Sequence, residues 1–227
     1  MKIEVKNLKE TSILGTEAVI LGVEQESAHL SPLAQIANKE LGGKIDAIVK
    51  KQAWRTEFGK ITVFNADSVL VILIGIGKKN EMSTDKCRAL AATGIREAIK
   101  NRVKDVSLSL CENESIQAIT EGILLGSYKF LSYKSKNDEL HPIEKVVITA
   151  SEEKVESSLA EMGIAKIISQ NVIIARNMVN HPSNHMTPSM FAAEACRLVE
   201  NTNLKISVLG EKDIEKLGMQ AFLAVAK

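Results

Sequence analysis

Apolar positions recur along the chain with two different periods, which predict strands and helices in succession. Short runs rich in Ile, Val and Leu predict strands at residues 3–5, 18–23, 106–110 and 145–149. The runs 61–65 and 69–76 flank Ala66-Asp-Ser68 and predict a hairpin. Its second strand is apolar throughout, so we expect it to be buried on both faces of a sheet.

The clearest predicted helix covers residues 83–100. Its apolar positions recur every three to four residues and form one stripe: Cys87, Leu90, Ala91, Gly94, Ile95, Ala98 and Ile99. Ser83 or Thr84 is suited to cap its first turn. Further helices are predicted at 33–41, where Pro32 favours a helix start, and at 115–128. Strands that alternate with such helices predict an α/β fold with a mixed, largely parallel sheet and helices on both faces.

The pattern changes after Ala150. A long helix is predicted from 151 to about 179, and we expect Gly163 to dent or divide it. Thr187 and Pro188 then predict the N-cap and first turn of a helix to about 199, followed by a strand at 204–209. We therefore predict an N-terminal domain at 1–150, a linker helix at 151–180 and the beginning of a second, truncated domain at 181–227.

Composition and charge narrow the function classes. The chain has 227 residues, 45% hydrophobic and 25% charged, with 29 Lys+Arg against 28 Asp+Glu. This balance does not favour a nucleic-acid or membrane-surface partner. The start of the chain lacks the apolar core of a signal peptide, and no apolar run is long enough to span a membrane. With three widely spaced cysteines (Cys87, Cys111 and Cys196), we expect a cytoplasmic protein with buried, free thiols.

Four segments, in the same order, resemble the leucyl aminopeptidase family. The most specific is Ala175-Arg-Asn-Met-Val-Asn-His-Pro-Ser-Asn-His-Met-Thr-Pro188, which is similar to a stretch near the start of that family's catalytic domain. The others are Glu121-Gly-Ile-Leu-Leu-Gly-Ser-Tyr-Lys-Phe130 with Tyr133-Lys-Ser-Lys136, Val71-Ile-Leu-Ile-Gly-Ile-Gly-Lys78, and Gly218-Met-Gln-Ala-Phe-Leu-Ala-Val-Ala226. The sequence departs from the family's pattern at His185, Gln220 and Ala226, and we expect these differences to concern only local turns.

The resemblance implies an N-terminal domain similar to macro domains, joined by a helix to a peptidase domain. It also implies a hexameric metalloprotease that removes N-terminal residues from peptides with two divalent ions, Mn or Zn, held by Lys, Asp and Glu side chains. The family's motifs that carry the metal ligands and the catalytic residues are expected after Lys227. The resemblance therefore assigns no catalytic, metal-binding or substrate-binding residue to this sequence. We expect the 227 residues alone to be inactive and to serve assembly and substrate access.

Several residues allow other interpretations. Gly75-Ile-Gly-Lys-Lys79, after a buried strand, is either a tight turn or a loop for a nucleotide or ADP-ribose, although it matches neither phosphate-binding fingerprint. His181 and His185 have the spacing of a zinc-binding pair, but the prolines nearby favour loop histidines. His29 and His141 are isolated, and Glu152-Glu153 suits the first turn of a helix.

A basic cluster leaves a nucleic-acid hypothesis open. Lys50 and Lys51 precede Trp54 and Arg55, which combines positive charge with an aromatic side chain. Residues 1–150 hold 21 Lys+Arg and 19 Asp+Glu, a difference of only +2, so a solvated rim around an apolar surface is favoured. We also expect residues 181–227 to be the least stable part of the chain, or to be shielded by another copy, because most of their sheet is missing.

Overall fold

The computed structural model describes residues 1–13, 15–25, 30–51, 57–110, 115–135 and 141–226. Contacts between residues divide the chain into two compact units, Met1–Ile173 and Ile174–Lys227. Each unit is described by itself. Within the described ranges, none of the helices combines the length and the hydrophobicity that a membrane span requires.

The first unit contains a mixed sheet in which five of the six strands are parallel. In chain order the strands are β1 (Lys2–Asn7), β2 (Ala18–Glu24), β3 (Ile61–Ala66), β4 (Val69–Gly77), β5 (Asp105–Ser109) and β6 (Lys145–Ala150). Their spatial order is β1-β6-β5-β2-β4-β3, and only the edge strand β3 runs antiparallel to its neighbour. The predicted α/β class, the hairpin and the largely parallel sheet are thereby confirmed.

Two apolar clusters lie on opposite faces of this sheet. The helices of the unit are α1 (Pro32–Glu40), α2 (Lys44–Lys51), α3 (Thr84–Lys100), α4 (Ile116–Gly126) and the first part of α5 (Val155–Asn180). Ile20, Ile72 and Ile74 pack with α3, α4 and Met162 of α5, whereas Leu21 and Leu73 pack with α1 and α2. Because successive strand residues point to opposite faces, β2 and β4 are buried on both.

The end of the sheet formed by β1 and β6 is covered by apolar packing on one face only. Ile3, Val146 and Ile148 belong to the cluster with α3 and α4. The residues that alternate with them on the opposite face include Glu4 and Lys145, whose charged groups lie 3.6 Å apart. The prediction of helices on both faces thus holds for the centre of the sheet, while this end presents charged side chains.

Side chains at the helix starts explain where α3, α4 and α6 (Pro188–Val199) begin. The hydroxyl of Ser83 accepts a hydrogen bond from the amide of Lys86, and Ser115 accepts one from Ala118. Thr187 accepts from the amide of Met190, with Pro188 in the first turn. Each hydroxyl satisfies an amide that has no partner inside its own helix, as the sequence predicted for α3 and α6.

Two predictions about secondary structure are wrong. The helix α5 is continuous through Gly163, because this glycine is exposed with no neighbouring atom near its Cβ position, and a single Gly costs only about 1 kcal/mol. Residues 204–209 form no strand, since no neighbouring strand among the described residues pairs with them. In addition, α2 was not predicted, and α4 ends at Gly126, two residues before the predicted end at 128.

The second unit contains the end of α5, α6, α7 (Glu211–Lys216) and α8 (Gln220–Ala226). Among its described residues only Leu223 is buried, so the unit has almost no core of its own. Cys196 on α6 is half-buried, which corrects the expectation of buried thiols, while Cys87 on α3 is buried as predicted. Neither Cys87 nor Cys196 forms a disulfide, and Cys111 lies outside the described residues.

Candidate functional site

The Gly75–Lys79 segment has the geometry of a strand end. Its first three residues belong to β4, where the amide of Gly75 donates to the carbonyl of Lys60 and the carbonyl of Gly77 accepts from Gln25. Gly77 has a φ of 73°, which favours glycine at the turn that follows the strand. After this turn, the Nζ atom of Lys79 lies 3.9 Å from a carboxylate oxygen of Glu24. These backbone groups are used by the sheet, which favours the tight turn over a phosphate cradle.

Only one residue of the predicted basic cluster has a described side chain. Lys50 is exposed near the end of α2, on a helix whose Ile45 and Val49 are buried against the sheet. The side chain of Lys51, and Trp54 and Arg55, lie outside what the structure describes. The surface formed by α2 is thus apolar toward the sheet and charged at its rim, as the sequence suggested.

The acidic pair Glu152-Glu153 lies in a single helical turn before α5. Both residues are exposed, and Glu152 forms a 3.3 Å ion pair with Lys9. His141 is half-buried beside a cavity of about 200 Å³ near Met1 and Ile99, and His29 lies outside the described residues. Among the described residues, none of these positions belongs to a group of three or more His, Cys, Asp or Glu side chains that could hold a metal ion.

Among the described residues, Glu121 is the most buried charged side chain, and it connects two helices. Its carboxylate accepts a hydrogen bond from Nε of Arg88 at 2.7 Å and one from the side-chain amide of Gln117 at 2.9 Å. This hydrogen bond to Glu121 raises the pKa of the Arg88 guanidinium. Arg88 also pairs with Asp85, which acts in the same direction. A buried carboxylate that is hydrogen-bonded to residues of both α3 and α4 is suited to hold these helices in register.

Glycines on α4 allow these two helices to approach closely. A Cβ atom at Gly122 would lie 2.3 Å from the carbonyl oxygen of Arg88, and one at Gly126 would lie 2.7 Å from Cα of Ala92. The Glu121-Gly122 pair that contributes to the family resemblance is therefore a packing feature of the first unit. A larger residue at either glycine would force α3 and α4 apart.

His181 and His185 are brought together, at the end of α5 and in the turn before α6. They line a cavity of about 250 Å³ with Glu194 and three methionines, Met178, Met186 and Met190. As predicted, the histidines occupy loop positions and do not form one face of a helix. Sequence reasoning did not include the methionines, although their spacing of eight and four residues around the two histidines was visible.

The described residues do not supply the ligand set of a two-metal hydrolase. No group of three or more His, Cys, Asp or Glu side chains among them is placed to hold a metal ion. Two-metal hydrolysis requires several converging oxygen or nitrogen ligands. No step of peptide hydrolysis is therefore assigned to these residues.

Comparison with known proteins identifies the relatives of both units. Residues 20–137 match the model for the cytosol aminopeptidase family, N-terminal domain, and residues 173–227 match the model for the catalytic domain of the same family. A probable cytosol aminopeptidase from a Sulfurihydrogenibium species is 31% identical over 96% of this chain, which covers 45% of that relative. One from Alkaliphilus oremlandii is 30% identical over 100% of this chain and 48% of its own length.

Solved structures show the same fold. A mutant of tomato leucine aminopeptidase superposes with a TM-score of 0.81 at 20% identity, over 100% of this chain and 48% of that one. A bottromycin maturation enzyme in complex with Mn gives a TM-score of 0.66 at 20% identity, over 90% and 41% of the two chains. The chain thus spans about half the length of the relatives it matches. The two domain matches, in this order, confirm the predicted family: the chain belongs to the cytosol aminopeptidase family.

Proposed function

We propose that this chain is the N-terminal half of a metal-dependent aminopeptidase that removes N-terminal residues from peptides. The observation that carries the proposal is the match to both family domains, in order, by a chain about half as long as its relatives. In this proposal the metal ligands belong to the other half of the enzyme. The residues described here serve assembly and substrate access, in a cytoplasmic hexamer that uses Mn or Zn.

The domain division is part of the same proposal. Residues 1–150 form a macro-domain-like unit, 151–180 a linker helix and 181–227 the beginning of the peptidase domain. Two observations support it: α5 follows directly on the last strand of the sheet, and the catalytic-domain match begins at residue 173, within that helix. That only Leu223 is buried among the described residues of the second unit is also in keeping with a domain whose remaining layers are elsewhere.

The sharpest test joins this chain to the second half of the Sulfurihydrogenibium relative. We expect the chimera to release leucine from a leucine anilide in the presence of Mn²⁺, and to lose that activity with a chelator. This chain alone and the relative's second half alone are the matched controls, and both are expected to be inactive. Hydrolysis by this chain alone, or a folded chimera of hexameric mass without activity, would contradict the proposal.

A further inference from the structure

The cavity in the second unit has a chemical composition that the aminopeptidase proposal does not use. It lies among residues from the last turn of α5, the turn that follows and the first two turns of α6. We call the following five side chains the methionine–histidine cluster: Met178, His181, His185, Met186 and Met190. Three methionines and two histidines thus line one cavity of about 250 Å³.

The backbone of the connecting turn brings these side chains together. The carbonyl of Pro182 accepts hydrogen bonds from the amides of both His185 and Met186, each at 2.9 Å, so the turn folds back on itself. The Thr187 cap then fixes the start of α6. Because residues four apart share one face of a helix, Met190 and Glu194 lie one above the other on α6.

One anionic group accompanies the cluster. Glu194 lines the same cavity, and its carboxylate accepts hydrogen bonds from Nε and from a terminal nitrogen of Arg197. This arrangement lowers the pKa of Glu194, and the proximity of His181 lowers it further. Glu194 thus adds a carboxylate to the residues that line the cavity.

The donor atoms are those preferred by soft cations. Thioethers carry no proton at any physiological pH and bind Cu(I), whereas Mn, Mg and Ca prefer oxygen ligands. Each imidazole has two ring nitrogens, so it can coordinate a metal through one while the other is engaged. A purely apolar pocket would require neither histidine nor a carboxylate.

From this combination of donors we infer that the methionine–histidine cluster is a binding site for one Cu(I) ion. The ion is bound as a monovalent cation, without change of oxidation state. The site lies entirely within residues 178–194 and is independent of the proposed peptidase activity.

An anaerobic competition titration tests the inference directly. Cu(I) is added to the chain in the presence of bicinchoninate, with Cys111 and Cys196 replaced by Ser because thiolates would compete for the ion. We expect one Cu(I) per chain, at least a tenfold loss of affinity in Met186→Leu and in His185→Asn, and no change in Met219→Leu, the matched control in the same unit. Failure to compete with bicinchoninate, or equal affinity in Met186→Leu and Met219→Leu, would overturn the site.

A second measurement does not depend on how the cluster variants fold. The chain has seven methionines, whose methyl carbons can be labelled and observed individually by NMR. On addition of one equivalent of Ag(I), a redox-inert analogue, we expect the signals of Met178, Met186 and Met190 to shift and the other four to stay in place. Excess Zn²⁺ should not reverse the shift. Shifts spread evenly over all seven signals, or reversal by Zn²⁺, would refute a Cu(I)-selective site.

Discussion

The two units of this chain place similar apolar residues in opposite environments. Leu73 and Leu108 in the first unit are fully buried, between a sheet and its helices. Leu204 and Phe222 in the second unit are 69% and 62% exposed. The difference does not lie in the residue types but in the presence of a second layer that can cover them.

This contrast shows where the stability of the chain resides. In the first unit both faces of β2 and β4 are covered, so the apolar side chains of these two strands all pack in a core. In the second unit, apolar residues on α6 and α8 and in the 204–209 segment are in contact with solvent. Apolar surface of this extent is typical of a face that packs against something else, in keeping with the proposed position before the rest of a catalytic domain.

The largest expected effect comes from replacing a glycine in each unit. A Cβ atom at Gly22 of β2 would lie 1.6 Å from the carbonyl oxygen of Leu110, so the backbone must move to accept it. We expect Gly22→Ala to cost more than about 4 kcal/mol of the free energy of unfolding, or to prevent folding. Gly210→Ala, where the nearest atom is 4.0 Å away, is the control and should cost less than about 1 kcal/mol. Urea denaturation measures both, and equal costs would contradict the close approach.

Hydrogen exchange compares the two units without any substitution. Strand β4 is hydrogen-bonded to a neighbouring strand on each side within a covered sheet. Helix α6, in contrast, has no buried residue. We expect amides of β4 to exchange at least about 1,000-fold more slowly than those of α6, a difference of about 4 kcal/mol in opening free energy. Equal protection, in a sample shown by sedimentation to be monomeric, would contradict the prediction that the second unit is the least stable part.

The first unit was predictable from sequence because its local signals and its packing agree. The apolar stripe of α3, its Ser83 cap and the two-sided burial of β4 each follow from the spacing of a few residues. The charged face of β1 and β6 was not predicted, since period-two alternation with Lys and Glu does not show on which side helices will lie.

The second unit was predicted less well for a physical reason. Residues 204–209 have a strand-like pattern, but a strand exists only when another strand supplies hydrogen bonds. The methionine–histidine cluster was not predicted, because two histidines in a loop between prolines do not indicate which other side chains lie near them. The folded turn at Pro182 shows that methionines of α5 and α6 line the same cavity as the histidines.

A matched pair of leucine substitutions measures the contrast in packing directly. Leu108→Ala removes a fully buried side chain from β5, so it should lower the free energy of unfolding by about 2–5 kcal/mol through lost burial and a cavity. Leu204→Ala removes a side chain that is 69% exposed. It should change the free energy of unfolding by less than about 0.5 kcal/mol. Urea denaturation, followed by circular dichroism, gives both values. A comparable loss in Leu204→Ala would show that the second unit is packed in solution.

The smallest expected effect concerns a charge pair in the second unit. Hydrogen bonds from Arg197 lower the pKa of Glu194, so the ionised carboxylate favours the folded state. A carboxyl group with a lowered folded pKa stabilises the fold above its unfolded pKa, and that contribution is lost as the pH falls through the folded pKa. In Arg197→Met the main cause is removed, and the pKa of Glu194, measured by carbon NMR, should rise toward its ordinary value. Lys205→Met also removes one positive charge, but elsewhere in the unit, and should leave the pKa of Glu194 unchanged. A pKa that stays low in Arg197→Met would show that another group, with His181 the first candidate, dominates the field around the carboxylate.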